Sequence, residues 1–326
     1  MNWKRVLPIA LIIALALGAI GIYIVNVPPQ IGIAIHDLSD SAAREYAQAL
    51  EKELTDQGYA VTVEDAKNDQ SLQNQQIAAW AKDHYAAVIV SPVMVSAASE
   101  TAEIAKQAEL PIVFINKPVS YGALAVWDKV GYVGNPVNLW GERLGNAVLS
   151  LPAQGDINGD GVISYLLVQD NPENVQKQNG INLLLETLQT GDKTLNEIRK
   201  IDIDSLQSES NAQCAQTLAR YGKDIEVVIC DSDAGVLGAE QAIVDGGRVV
   251  GGDIYLVSLA DTQQVLMEIA RGKINAVVYR DFGTLAAKTA EMLKLLLEDQ
   301  SNENTYLVDC VTVTVENVIP YLTLTE

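Results

Sequence analysis

The sequence predicts an α/β chain of two successive Rossmann-like lobes, each a parallel sheet covered by helices, behind an N-terminal transmembrane segment. Three observations carry this reading. After Pro28-Pro29, short apolar runs alternate with amphipathic stretches, the pattern of repeated βαβ units. The same alternation restarts after Asn135-Pro136, and 326 residues are enough for roughly two domains of ordinary size. Ahead of both, Lys4 and Arg5 precede an uncharged apolar run over 6–25, close to the ~20 residues that cross a bilayer.

The elements follow in order. The first half reads as strand 31–35, helix 41–57, strand 60–63, helix 71–82, strand 87–90, helix 97–107 and strand 112–115. The second reads as helix 139–149, strand 165–168, helix 175–188, strand 200–203, helix 212–219 and strand 227–230. Helix 235–243, strand 254–258, helix 262–270, strand 275–279 and a long helix 285–298 come next, and a strand-like tail 306–315 closes the chain. In open α/β sheets, ligands bind beyond the carboxyl ends of strands. Asp40, Asn116, Asp170, Asp231, Ser232, Asp233, Asp261 and Asp281 all fall near such ends. A cleft between two polar-rimmed lobes follows, although any one of these residues reads equally well as a helix N-cap. His36 ends the first strand, where it can face the cleft, whereas His84 precedes a strand and reads as surface.

Composition narrows the function. Hydrophobic residues make up 48% of the chain and permit a sizeable core. The formal charge of −20 argues against a nucleic-acid partner. The positive charge before the apolar run places the N-terminus in the cytoplasm and the bulk outside. That run reads either as a signal peptide, with a small-residue site at Ala16-Leu17-Gly18, or as an uncleaved anchor, which its length favours. Cys214, Cys230 and Cys310 have no metal spacing. There is no G-x-S-x-G elbow, P-loop or H-E-x-x-H, so nothing in the sequence calls for an enzyme.

One stretch points to a metal. Residues 156–164 read D-I-N-G-D-G-V-I-S. Asp156, Asn158 and Asp160 supply side-chain oxygens at alternate positions, Gly161 permits the turn, Val162 offers a carbonyl and Ser164 completes the set, as in a calcium loop. The twelfth position is Leu167, where a bidentate Glu belongs in a helix-pair calcium loop. Either the last carboxylate comes from elsewhere, or this is an Asp/Asn/Gly turn without metal.

Several stretches resemble the galactose/glucose-binding protein family of periplasmic sugar receptors, which have the type I periplasmic-binding-protein fold. These are 68–77 (NDQSLQNQQI), 113–118 (VFINKP), Asp128-Lys129 with Tyr132-Val133-Gly134, the loop 156–164, and the strand at 225–229. The resemblance runs in order through essentially everything after residue 30. It implies two lobes joined by a hinge, 31–135 plus 280–308 and 136–279 plus 309–326, with residues 1–30 as the membrane segment. It implies a structural Ca2+ held by Asp156, Asn158, Asp160, Val162, Ser164 and, as remote bidentate ligand, Glu226. A Glu opening an apolar strand is otherwise costly to bury.

For the ligand, the resemblance implies Asp40 and Asn116 from the first lobe and Asn174, Gln176, Ser232 and Asp233 from the second. Lys177 is the nearest cation to the family's Arg position, which here is Gly180. Asp261, Arg280 and Asp281 fall near its remaining positions. The family's two stacking aromatics are missing: Ala42 occupies one place, and none stands near Ser208 for the other. Their loss would weaken hexose affinity by roughly 1–3 kcal/mol per face. Trp127, Tyr255 and Tyr279 could supply stacking surfaces from other directions, but core packing is the stronger reading for each. The resulting expectation is an extracytoplasmic solute-binding protein that delivers a sugar-like ligand to a membrane permease. The alternative is a membrane-tethered sensor partnering a kinase or chemoreceptor.

Overall fold

The computed structural model describes residues 27–136, 139–300 and 303–322. The apolar span and its cleavage site lie outside the described residues. Among the described residues, no helix is long and apolar enough to cross a membrane.

The strands form two six-stranded sheets. The first contains β1 (Gln30–Ile35), β2 (Ala60–Asp65), β3 (Ala87–Val90), β4 (Ile112–Ile115), β5 (Val130–Gly134) and β11 (Thr305–Leu307), in the order β11-β5-β4-β3-β1-β2. Every neighbouring pair is parallel. The second contains β6 (Val162–Asp170), β7 (Thr194–Ile203), β8 (Val227–Cys230), β9 (Tyr255–Ala260), β10 (Ala276–Tyr279) and β12 (Val311–Thr314). Its order is β12-β10-β9-β8-β6-β7, and only the β10–β12 pair is antiparallel.

The two sheets are built alike because both halves carry the same alternation of apolar runs and amphipathic stretches. Central strands such as β3, β4, β8 and β10 are buried along their whole length. A strand covered on both faces reads as a continuous apolar run rather than an alternation. The first sheet is packed on one face by α1 (Ser41–Asp56) and α10 (Phe282–Leu297), and on the other by α2 (Gln70–Lys82) and α3 (Ala98–Gln107). In α1 the buried residues Ala43, Tyr46, Ala47, Leu50 and Leu54 recur at helical spacing. The second sheet is sandwiched by α5 (Leu139–Leu149) and α6 (Val175–Leu188) on one face, and by α7 (Gln207–Tyr221), α8 (Asp233–Asp245) and α9 (Gln263–Ala270) on the other.

The chain passes between the sheets three times, after β5, after β10 and between β11 and β12. The single strand-like tail of the sequence reading is therefore two strands in different sheets. At one passage, Asn135 Nδ2 donates to Val308 O at 2.7 Å, tying two of these connections together. Two elements go beyond the sequence reading. The run at 130–134 is a buried strand, and α4 (Tyr121–Leu124) is a single turn capped by Ser120. β7 begins six residues before the predicted start at 200, because it is an edge strand whose exposed face carries no apolar signal.

Candidate functional site: the cleft between the sheets

A cleft of about 660 Å³ lies between the carboxyl ends of the strands of both sheets. Nine of the ten predicted ligand residues line it: Asp40, Asn116, Asn174, Gln176, Lys177, Ser232, Asp233, Asp261 and Arg280. Asp281 does not. It is the N-cap of α10, with Oδ1 accepting from the Gly283 and Thr284 N–H groups and Oδ2 from the Thr284 hydroxyl. The cap role wins there because the first turn of α10 offers three donors to one carboxylate.

Several lining residues are caps as well. Asp40 accepts from Ala43 N, Asn174 from Gln176 N and Lys177 N, and Ser232 from Gly235 N. A βα loop requires both a cap and a position at the strand end, so the two roles coincide.

The centre of the site is a charged fork. Arg280, following β10, donates through Nε and Nη2 to the two carboxylate oxygens of Asp261, following β9. Its Nη1 lies 3.4 Å from Oδ1 of Asn116, at the end of β4 in the other sheet. Asn116 has φ of 66°, a left-handed conformation that Asn tolerates better than most residues. Arg280 also lies over the Phe282 ring, 5.8 Å from its centroid. Bidentate geometry of this kind fixes direction as well as charge.

Behind the fork, Asp233 accepts from Asp261 N (3.2 Å), Thr262 N (3.1 Å) and Thr262 Oγ1 (2.7 Å). Burial, reinforced by the Asp261 charge, pushes the Asp233 carboxyl up to about 6. Glu45 of α1 accepts from the Gln263 backbone N–H at the start of α9, a bond from one lobe to the other. Burial raises Glu45 to about 7, with Asp233 and Asp261 adding to the shift. On the far side, Lys177 Nζ lies 3.1 Å from Asp170 Oδ2, and Asp170 also accepts from Ser205. Asp231 accepts from Asp170 N at 2.7 Å. His36 lines the cleft with Nδ1 2.9 Å from Ser91 Oγ, and burial lowers its pKa.

The core reading of the three candidate aromatics holds. Trp127, Tyr255 and Tyr279 pack in or against the hydrophobic cores. The only Trp, Tyr or Phe among the lining residues is Trp140, in the first turn of α5. It occupies the space beside Gly180, where a Cβ would fall 2.0 Å from Trp140 Cζ2. The absence of a long side chain at 180 and the presence of a Trp at 140 are thus one packing solution. The residues are 40 positions apart, so only the helix pair α5–α6 reveals it. Lys117, Pro118, Asn135 and Ala42 complete the lobe-one and hinge wall.

The model of the periplasmic binding protein domain family matches residues 31–301. The chain belongs to that family. The D-galactose/methyl-galactoside binding periplasmic protein MglB of Haemophilus influenzae is 23% identical over 268 residues, covering 77% of this chain and 76% of that protein. The ribose import binding protein RbsB of Bacillus subtilis is 23% identical over 267 residues, 80% of each chain. The periplasmic solute binding protein of Actinobacillus succinogenes with bound D-allose shares the fold with a TM-score of 0.75, at 16% identity, over 90% of this chain and 100% of that one.

In this periplasmic binding protein, the loop 156–164 and Glu226 do come together. Glu226 is 1% exposed, and its carboxylate accepts from Ile157 N (2.8 Å), Asn158 N (2.9 Å) and Ser164 N (3.1 Å). Asp156 accepts from the N–H groups of Gly159, Asp160 and Gly161. Asn158 Oδ1 accepts from Asp160 N, Asp160 Oδ1 from Val162 N, and Ser164 Oγ from Asn196 Nδ2. The donor types, three carboxylates with Asn and Ser oxygens, suit calcium. Lys193 Nζ stands 3.1 Å from Asp156 Oδ2, so a side-chain cation already faces the first carboxylate. Among the described residues, no group of three acidic, His or Cys side chains converges on a metal position. The loop is joined to Glu226 by backbone donors, and an ammonium group faces its first carboxylate.

Proposed function

We propose that this chain is an extracytoplasmic sugar-binding protein of an ABC-type importer, holding one sugar-like ligand between its two lobes. One observation carries the reading. The Arg280–Asp261 fork from one sheet reaches Asn116 of the other, in a polar cleft of about 660 Å³, ample for a monosaccharide. Hydroxyl-rich ligands need paired donors and acceptors held rigidly, and the fork supplies both. Trp140 offers one apolar face for a sugar ring. The relatives named for galactose and ribose, and the fold relative with bound allose, support the same ligand class.

In this reading the three inter-sheet connections are the hinge, and closure brings Asp40 and Asn116 toward Asn174, Gln176 and Asp233. The importer's permease is the membrane partner. The loop 156–164 is a structural staple of the second lobe, neutralised by Lys193 and not dependent on calcium. A thermal-shift screen against aldohexoses, aldopentoses, aminohexoses and cyclitols at millimolar concentration tests the function. A dose-dependent rise in melting temperature with at least one of them is expected. No shift with any of them would remove the sugar reading.

A further inference from the structure

The cleft carries more negative charge than a neutral sugar calls for. Six aspartates line it, against Lys117, Lys177 and Arg280. Arg280 is used by Asp261 and Lys177 by Asp170. Lys117 lies in the field of Asp37 and Asp40, and His36, held toward its neutral form, adds no balancing charge. The lining therefore retains about three negative charges without a counter-ion.

One of these carboxylates is singled out by geometry. Asp231 is 1% exposed and lines the cleft, and its Oδ2 has no hydrogen-bond partner. Its Oδ1 is fixed by Asp170 N, which holds the carboxylate in place. A buried carboxylate oxygen without a partner is costly, and lobe closure would remove the remaining water. A neutral hydroxyl supplies a hydrogen bond there but no charge. An ammonium group supplies both.

Resting on the sugar-binding reading above, we propose that the ligand is an amino sugar, a hydroxylated ring whose ammonium group sits against Asp231. The polyol part is held by the Arg280–Asp261–Asn116 fork, and the charge is read beyond the end of β8, the strand next to β9 in the same sheet. Burial raises the Asp231 carboxyl to about 6, while Lys177 pulls it down and Asp170 pushes it up. A bound ammonium group would hold it ionised.

The experiment is titration calorimetry of the full chain at pH 7.5 with D-galactosamine and D-glucosamine, beside D-galactose, D-glucose and the N-acetylated amino sugars. A charge-assisted hydrogen bond corresponds to roughly 10- to 100-fold in affinity. A free amino sugar is expected to bind at least 10-fold more tightly than both its parent hexose and its N-acetyl form. In Asp231→Asn, the ratio of amine to parent affinity should fall toward one. Should that variant not fold, the wild type supplies a second test: the same ratio should shrink as pH drops below about 6 and Asp231 takes up a proton. A hexose binding as tightly as its amine overturns the proposal while leaving the sugar-binding reading standing. No binding by either set overturns the proposal, and the sugar-binding reading then stands or falls with the wider thermal-shift screen.

Discussion

Replacing Glu226 by Gln tests the loop most sharply. The carboxylate is buried and accepts three backbone N–H groups, from Ile157, Asn158 and Ser164, at 2.8, 2.9 and 3.1 Å. Hydrogen bonds to a charged group are worth about 1.5–3 kcal/mol each. A carboxamide keeps one acceptor oxygen and turns an NH2 toward the remaining backbone donors. One or two bonds are lost and a donor–donor clash is added, so about 2–4 kcal/mol of stability should disappear. At about 2 °C per kcal/mol for a chain of this size, the melting temperature should fall by about 4–8 °C. Differential scanning calorimetry measures it, run in parallel with excess Ca2+ and with EGTA. The drop should be the same in both. A fall under about 2 °C would refute the staple, and a large drop confined to the calcium-containing sample would show that a metal, not Lys193, closes the loop.

Three further outcomes are expected. In the wild type, EGTA should leave the melting temperature unchanged, whereas Lys193→Met should lower it by a few degrees and make added Ca2+ stabilising; a strong calcium response of the wild type would contradict the Asp156–Lys193 pairing. Glu45 is raised to about 7, and Asp231 and Asp233 to about 6, so the folded state holds these protons more tightly than the unfolded chain. Their contribution is full below about pH 4 and is lost as pH rises through 6–7, so thermal melts should show greater stability at pH 5.5 than at pH 8, and Glu45→Gln should flatten that slope, with about 1 kcal/mol gained at pH 8. Gly180→Ala drives a Cβ into the Trp140 ring and should cost about 1–3 kcal/mol in chemical denaturation, while Trp140→Ala should weaken ligand binding by roughly ten-fold; no loss of stability in the first variant would refute the packing at this contact.

Much of this was legible in the residues, and the reasons differ by element. Strands β3, β4, β8 and β10 announce themselves because burial on both faces leaves no polar residue in the run. β5 hides because two of its five residues are Gly; at Gly131 a Cβ would meet Met292 of α10, a contact invisible from local pattern. The start of β7 hides because edge strands expose polar side chains. In the site, Asn116, Asp233 and Asp261 are readable because strand ends in such sheets face the cleft, and Arg280 through the family resemblance. Asp281 sits one residue past that rule and is claimed by its own helix. Trp140 is unreadable because its position depends on a glycine in a different helix. Lys193 is missed because a loop of calcium type directs attention to oxygens, and its counter-ion comes from the neighbouring strand entry.

A ligand gripped from both sheets meets the first of them at Asn116, the residue that reaches the Arg280–Asp261 fork. The most direct measurement is calorimetric affinity of Asn116→Ala for whichever sugar stabilises the wild type, with the melting temperature of the free variant as a folding control. Loss of one hydrogen-bonding wall in a closed cleft predicts a ten-fold or greater fall in affinity with the free protein still folded. Unchanged affinity in a folded Asn116→Ala protein would contradict binding between the lobes at this fork.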